Sequence, residues 1–150
     1  MEIALMRHFD VRANIIVPNV SFGICIQGKS LHECDLLILT PSGYATEIEI
    51  KISKADLLKD KKKKHTHNHI AITNFYYAVP EELIDFASEN IPSEAGLISV
   101  YEKDGKNKCS IIRGTERRKP AYKWNDTERL KLLRLGTMRI VGLKENIAKK

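Results

Sequence analysis

The sequence predicts a single α/β domain, a central mixed β-sheet of about four to six strands flanked by helices. Three observations predict it. Residues 33–40 and 44–52 are two branched, apolar-rich runs joined by Pro41-Ser42-Gly43. Residues 74–79 and 97–101 are further strand-like runs, and helical periodicity separates or follows them at 53–65, 81–89 and 126–148. The chain has 150 residues, enough to bury one real core and too few for two.

The elements follow in order. Residues 2–10 read as a short helix, with Ile3, Met6 and Phe9 at helical spacing. Residues 14–18 and 22–26 read as strands or strand ends around a turn. The pair 33–40 and 44–52 is the clearest hairpin. Ser53 followed by Asp56 resembles a capping box and starts a helix over 53–65. Asn74-Phe75-Tyr76-Tyr77-Ala78-Val79 reads as a buried strand that Pro80 ends. A short helix over 81–89 follows, closed by Pro92. Residues 97–101 turn through Asp104-Gly105 into 109–112, a strong hairpin signal. A basic loop over 113–123 leads to an amphipathic helix over 126–148, capped by Asn125 or Asp126 and weakened locally by Gly136 and Gly142. The core of the domain thus spans about 2–113, with the terminal helix at about 125–149.

Composition narrows the function. Hydrophobic residues at 43% and charged residues at 29% are globular values and exclude global disorder. No apolar run approaches a membrane span, and the first residues lack a basic segment followed by an apolar one. A soluble, intracellular, cytoplasmic protein is expected. Twenty-five Lys and Arg against nineteen Asp and Glu leave +6, which favours a polyanionic partner. Cys25, Cys34 and Cys109 form no CxxC and suit reduced thiols rather than a disulfide frame.

The chemistry concentrates in the hairpin. Pro41 suits position i+1 of a type I turn and Gly43 the left-handed position after it, giving a three-residue loop. Thr40 then faces Tyr44, Asp35 faces Glu49 and Glu33 faces Lys51. Opposed side chains lie about 5 Å apart on one face. Glu47, Glu49 and Lys51 therefore share a face with Asp35, and Leu36, Ile38, Ile48 and Ile50 line the other. A one-residue slip would separate them. Two carboxylates at that distance repel by about 3 kcal/mol at an effective dielectric near 20. A divalent cation such as Mg²⁺ offsets that repulsion, and Lys51 beside it could hold or deprotonate a bound water for attack on a phosphodiester. Alternation alone supports a plainer expectation, a solvated strand face.

Asp35, fourteen residues, then Glu49-Ile50-Lys51 at a strand end resembles the PD-(D/E)XK nuclease superfamily, in which Cys34 stands where the motif carries proline. The order helix, strands, acidic hairpin, helix, aromatic strand is similar to that superfamily's restriction-endonuclease-like αβββαβ core. Glu49-Ile50-Lys51-Ile52-Ser53-Lys54-Ala55-Asp56, Phe75-Tyr76-Tyr77-Ala78-Val79-Pro80 and Ala95-Gly96-Leu97-Ile98 resemble a small branch associated with bacterial DNA repair and phage. The likeness covers roughly residues 2–101 plus a terminal helix of similar character. It implies a metal-dependent DNA endonuclease in which Asp35, Glu49 and the Ile50 carbonyl ligate Mg²⁺ or Mn²⁺ and Lys51 positions the attacking water. It also implies an added glutamate from the first helix, for which Glu2 is the candidate. A catalytically inactive nucleic-acid-binding module of the same fold is the alternative.

Flanking features fit a DNA partner. Lys54, Lys59, Lys61, Lys62, Lys63 and Lys64 follow the hairpin and would neutralise phosphates, against the alternative of a solvated helix face with an Asp60–Lys64 pair. His65, His67 and His69 alternate as zinc ligands on a strand could. With no cysteine nearby and polar surroundings, they read as a phosphate-facing loop or as having no role. Arg113, Arg117, Arg118, Lys119 and Lys123 interleave with Tyr122 and Trp124, the tryptophan read as a packed anchor. Leu130, Leu133, Met138, Val141 and Leu143 read as the core face of the last helix, with a homodimer interface as the alternative.

Overall fold

Six strands form one mixed sheet, and the acidic hairpin supplies its second and third strands. The structure is a computed structural model that describes residues 1–21, 23–60 and 67–149. The elements run α1 (Glu2–His8), β1 (Ile15–Val20), β2 (Cys25–Ile26), β3 (Lys29–Ser30), β4 (Cys34–Leu39), β5 (Ala45–Ile50), α2 (Lys54–Asp60) and β6 (Ile72–Pro80). A 3₁₀ turn (Glu81–Leu83), α3 (Ile84–Asn90), β7 (Gly96–Lys103), β8 (Lys106–Arg113) and α4 (Asp126–Ala148) complete the chain. The sheet order is β1-β4-β5-β6-β7-β8, parallel across β5-β6-β7 and antiparallel elsewhere, and β2-β3 is a separate ribbon. The class expected from the sequence, α/β with a mixed sheet flanked by helices, is the class observed.

The hairpin register is the expected one. Leu36 pairs Ile48 and Leu39 pairs Ala45. Gly43 adopts φ +92°, and its N–H donates to the Thr40 carbonyl at 2.9 Å. A left-handed residue closing a three-residue loop holds every later side chain of β5 on its face. A side chain at position 43 would also strike Lys123 and the Trp124 carbonyl, so the turn anchors the segment before α4. Asp104 and Gly105, both at positive φ, make the second expected hairpin turn.

Both sheet faces are covered. Leu36, Ile38, Ile48, Ala78, Ile98 and Val100 pack on one face with Ala4 and Leu5 of α1. The other face carries two apolar clusters. One joins Leu37, Leu39, Ala45, Ile72, Trp124 and Leu132, and the other joins Leu57, Tyr77, Val79, Ala87 and Leu97. Glu47 and Glu49 lie on that second face, paired with Phe75 and Tyr77 of the parallel neighbour. A polar gap therefore separates the two clusters.

Several expectations need correction. In α1 the buried residues are Ala4 and Leu5, Met6 and Phe9 of the predicted stripe pack partly buried against the same cluster, and Ile3 is exposed. Helix α2 ends at Asp60, and the rest of the predicted helix, 61–65, lies outside the described residues. Residues 81–89 divide into a 3₁₀ turn and α3. The α4 reading fails most clearly, since Leu130, Leu133, Met138, Val141 and Leu143 are all exposed. The helix instead faces inward with Glu128, Leu132 and half-buried Leu135, and Gly136 lies close against Val17. Two apolar stripes with helical spacing compete on α4, and Gly136 lets the narrower one approach the sheet. Its cap is as expected: Asn125 and Glu128 exchange side-chain to backbone bonds at 2.9 Å. Trp124 is the packed anchor, donating Nε1–H to the Ala71 carbonyl at 2.9 Å. Among the described residues no helix is long and apolar enough to cross a membrane.

The orientation of α4 gives a stability test. Leu132→Ala should cost about 2–5 kcal/mol in urea unfolding, as a fully buried leucine does. Met138→Ala should change stability by less than about 0.5 kcal/mol. The reverse ranking would contradict the observed face.

Candidate functional site

The alternating charges of β5 are buried, which overturns the expectation of a solvated face. Glu47, Glu49 and Lys51 are 0%, 3% and 4% exposed, because α2 and the residues before β6 cover this part of the sheet. Asp60, the last residue of α2, is buried beside them. Buried carboxylates persist only when charge and hydrogen bonds replace the lost water.

Among the described residues two cations do this. Lys51 Nζ lies 2.8 Å from Glu49 Oε2 and 3.1 Å from Asp60 Oδ1. His67 places Nδ1 2.8 Å from Glu47 Oε1 and Nε2 2.8 Å from Asp60 Oδ2. A ring whose two nitrogens both meet carboxylates donates from both, so His67 is an imidazolium here. It stacks on Phe75 with ring centroids 4.5 Å apart and 12° between planes. His67 also sits at φ +35°, an uncommon backbone conformation that the surrounding contacts hold in place. Tyr77 donates its hydroxyl to Asp60 Oδ2 at 2.7 Å, and His32 Nε2 lies 2.8 Å from Glu47 Oε1.

Proton affinities follow. Burial alone would lower the pKa of His67, but its bonds to Asp60 and Glu47 outweigh that and push it up to about 9. Burial would also lower Lys51, and Glu49 and Asp60 instead hold it well above the ordinary lysine value. Lys51 is a fixed cation rather than a base. Burial would raise Glu47, yet the two histidines hold it below the usual carboxylate range. Glu49 moves up, through burial and the nearby charge of Asp35, despite Lys51. Burial, with Glu47 next, pushes the Cys34 thiol up, so it is no nucleophile.

The predicted residues are only partly brought together. Glu49 and Lys51 are in direct contact. Asp35 lies half-buried at the start of the hairpin, accepting from Ile50 N–H at 2.8 Å, and its charge reaches Glu49. Ile50 meets the site through that N–H. Glu2 is not part of the site: α1 packs on the opposite sheet face, where Glu2 lies beside Arg7 and Lys106. Lys54 is exposed, its ammonium 5.0 Å from the Phe86 ring centre. Lys61, Lys62, Lys63, Lys64 and His65 lie outside the described residues. Asp60, read as a partner of Lys64 on a solvated helix face, is buried against Lys51 and His67, and Lys64 itself lies outside the described residues. His69 bonds to backbone, taking the Ala71 N–H on Nδ1 at 3.1 Å.

Sequence reasoning put Glu47 on the site's face without a role, weighed His67 only as a zinc ligand with His65 and His69, read Asp60 only as a partner of Lys64, and passed over Tyr77 and His32. Glu47 carried a usable signal, since its parity with Glu49 puts both on one face. His67 and Asp60 carried none, because only the crossover from β5 to β6 brings them over the strand.

A cleft of about 750 Å³ opens beside the cluster, lined at one end by Asp60, His67 and Tyr77 and elsewhere by Arg117 and Arg118. The basic segment is tied down. Arg113 donates to the Ala95 and Pro92 carbonyls at 3.0 and 2.8 Å, Arg118 donates to the His69 carbonyl, and Arg117 stacks 4.2 Å from the Tyr44 ring centre.

Comparison with known proteins adds the fold and no more. No protein-family model matches the chain, and no curated protein matches it. Among solved structures it is similar to SPO1766, a protein of unknown function from Silicibacter pomeroyi. The match has a TM-score of 0.62 and 21% identity, and it covers 97% of this chain and 86% of that one.

The histidine makes a pH prediction. His67 binds its proton more tightly folded than unfolded, so its contribution is complete below about pH 6.5 and disappears as pH rises through about 9. The metal-free protein should therefore lose up to about 3 kcal/mol of unfolding free energy over that window. His67→Gln should flatten the slope. A wild-type profile that stays level there would contradict the doubly bonded imidazolium.

Proposed function

We propose that this chain is a Mg²⁺- or Mn²⁺-dependent nuclease that hydrolyses phosphodiester bonds of DNA, in a cytoplasmic repair or phage-related setting. The contact that carries the reading is Lys51 Nζ held 2.8 Å from Glu49 Oε2 at the end of β5, with Asp35 beside them. The donor set fits a hard divalent cation. Glu49 Oε2 is engaged by Lys51 and Asp35 Oδ2 by Ile50 N–H, which leaves each carboxylate a second oxygen to offer. Asp35, Glu49 and the Ile50 carbonyl would hold the ion, which supplies charge neutralisation at the phosphorus oxygens and a more acidic water.

The protein's own groups do the rest. Lys51, clamped by Glu49 and Asp60, presents a permanent positive charge that orients the attacking water and offsets charge developing on the phosphate. Asp60 sets the position of Lys51, and Tyr77 sets Asp60. Arg117 and Arg118 in the adjoining cleft, with Lys54 and the lysines at 61–64, favour a polyanionic strand over other partners. The non-catalytic binding module stands as a second reading because Lys51 and His67 already satisfy much of the buried negative charge.

Cleavage of duplex, single-stranded and branched DNA with Mg²⁺ or Mn²⁺ tests the proposal. Asp35→Asn and Glu49→Gln should each lower the rate at least 100-fold while DNA binding in Ca²⁺ persists. Lys51→Met should do the same, with circular dichroism to check that the buried pair's loss leaves the fold intact. A folded wild-type protein inert on all three substrates, or full activity in Glu49→Gln, would refute it.

A further inference from the structure

The buried cluster contains more ligating chemistry than the nuclease reading uses. Glu47 is fully buried, yet only one of its oxygens is occupied. Oε1 meets both His32 and His67 at 2.8 Å, while Oε2 has no hydrogen-bond partner among the described residues and is shut off from solvent. An ionised oxygen left unpaired in the interior is costly, and such a group needs a reason to be there. Glu47 is also the residue common to two groups of side chains able to share one ion: Glu47 with Glu49 and His67, and Glu47 with His32 and Cys34. In each group the ligating atoms lie within 4.8 Å of one another.

We propose that Glu47, Glu49 and His67 form a cation site of mixed carboxylate and imidazole character, selective for a borderline transition ion such as Zn²⁺ over Mg²⁺. The 2.8 Å between His67 Nδ1 and Glu47 Oε1 is a span that one ion, at about 2.1 Å from each, can bridge once the Nδ1 proton is released to solvent, while Nε2–H stays on Asp60. Glu49 Oε1, 4.0 Å from the same nitrogen and not the oxygen that Lys51 holds, supplies the third donor. Imidazole favours Zn²⁺ and its neighbours, whereas Mg²⁺ favours oxygen alone and keeps its waters. His32 is a positioning residue, fixing the Glu47 carboxylate, and Asp60 does the same for His67 through Nε2, as carboxylates behind metal-bound histidines do. The site shares Glu49 with the proposed catalytic pair but does not need Asp35, and it stands whether or not the chain cleaves DNA.

The test is titration of the full-length chain with Zn²⁺ by calorimetry, and with Mn²⁺ followed by electron spin echo envelope modulation. One ion per chain should bind, with ¹⁴N modulation from a directly bonded imidazole. His67→Gln should remove the modulation, and both His67→Gln and Glu47→Gln should weaken Zn²⁺ at least tenfold. Asp35→Asn should bind within threefold of wild type, and so distinguishes this site from the oxygen-only one above. Circular dichroism confirms the fold of each variant. The proposal fails if wild type binds no Zn²⁺, if ¹⁴N modulation survives in His67→Gln, or if Asp35→Asn abolishes binding while Glu47→Gln retains it.

Discussion

Asp60 is the joint on which the interior of this protein depends. Its two oxygens take Lys51 on one side and His67 and Tyr77 on the other, so one carboxylate at the end of a seven-residue helix ties β5, β6 and the approach to β6 together. The arrangement gathers three buried carboxylates around two cations. Removing either cation would leave charge stranded between two apolar clusters, which costs several kcal/mol when a buried pair is broken. An apolar filling of the same gap would hold the sheet together at least as well. The polar alternative is therefore better explained by what the cluster can bind than by stability.

Burial and charge together give the site its character. Four carboxylates, Asp35, Glu47, Glu49 and Asp60, face two fixed positive groups, Lys51 and His67. Among the described residues the excess is negative, and Asp60 and His67 carry the cluster to one end of the cleft that Arg117 and Arg118 also line. Lys51, charged throughout the physiological range, suits orientation and charge stabilisation, and does not serve as a proton acceptor.

Much of the fold was legible in local chemistry. Gly43 fixed the loop length, and loop length fixed which residues of β5 share a face with Asp35. The capping residues were legible too: Ser53 Oγ accepts from Asp56 N–H at 3.1 Å, and Asn125 closes its box with Glu128. What stayed hidden was set by packing at a distance. Alternation in Glu47-Ile48-Glu49-Ile50-Lys51 reads identically whether the polar face meets water or a helix, so its burial had to come from α2 and the chain before β6. His67 looked like one of three equivalent histidines, and its stack on Phe75 and its bonds to Glu47 and Asp60 come only with the fold. On α4 the more apolar stripe lost to the one containing Gly136, because close approach to Val17 outweighed hydrophobic count.

The most direct measurement is a crystal of the full chain soaked in ZnCl₂, with anomalous difference density recorded at the zinc edge. The account predicts a peak bounded by the carboxylates of Glu47 and Glu49 and the His67 ring, on the same sheet face as Lys51. A cluster with no anomalous density, its ion pairs as they stand without metal, would contradict it.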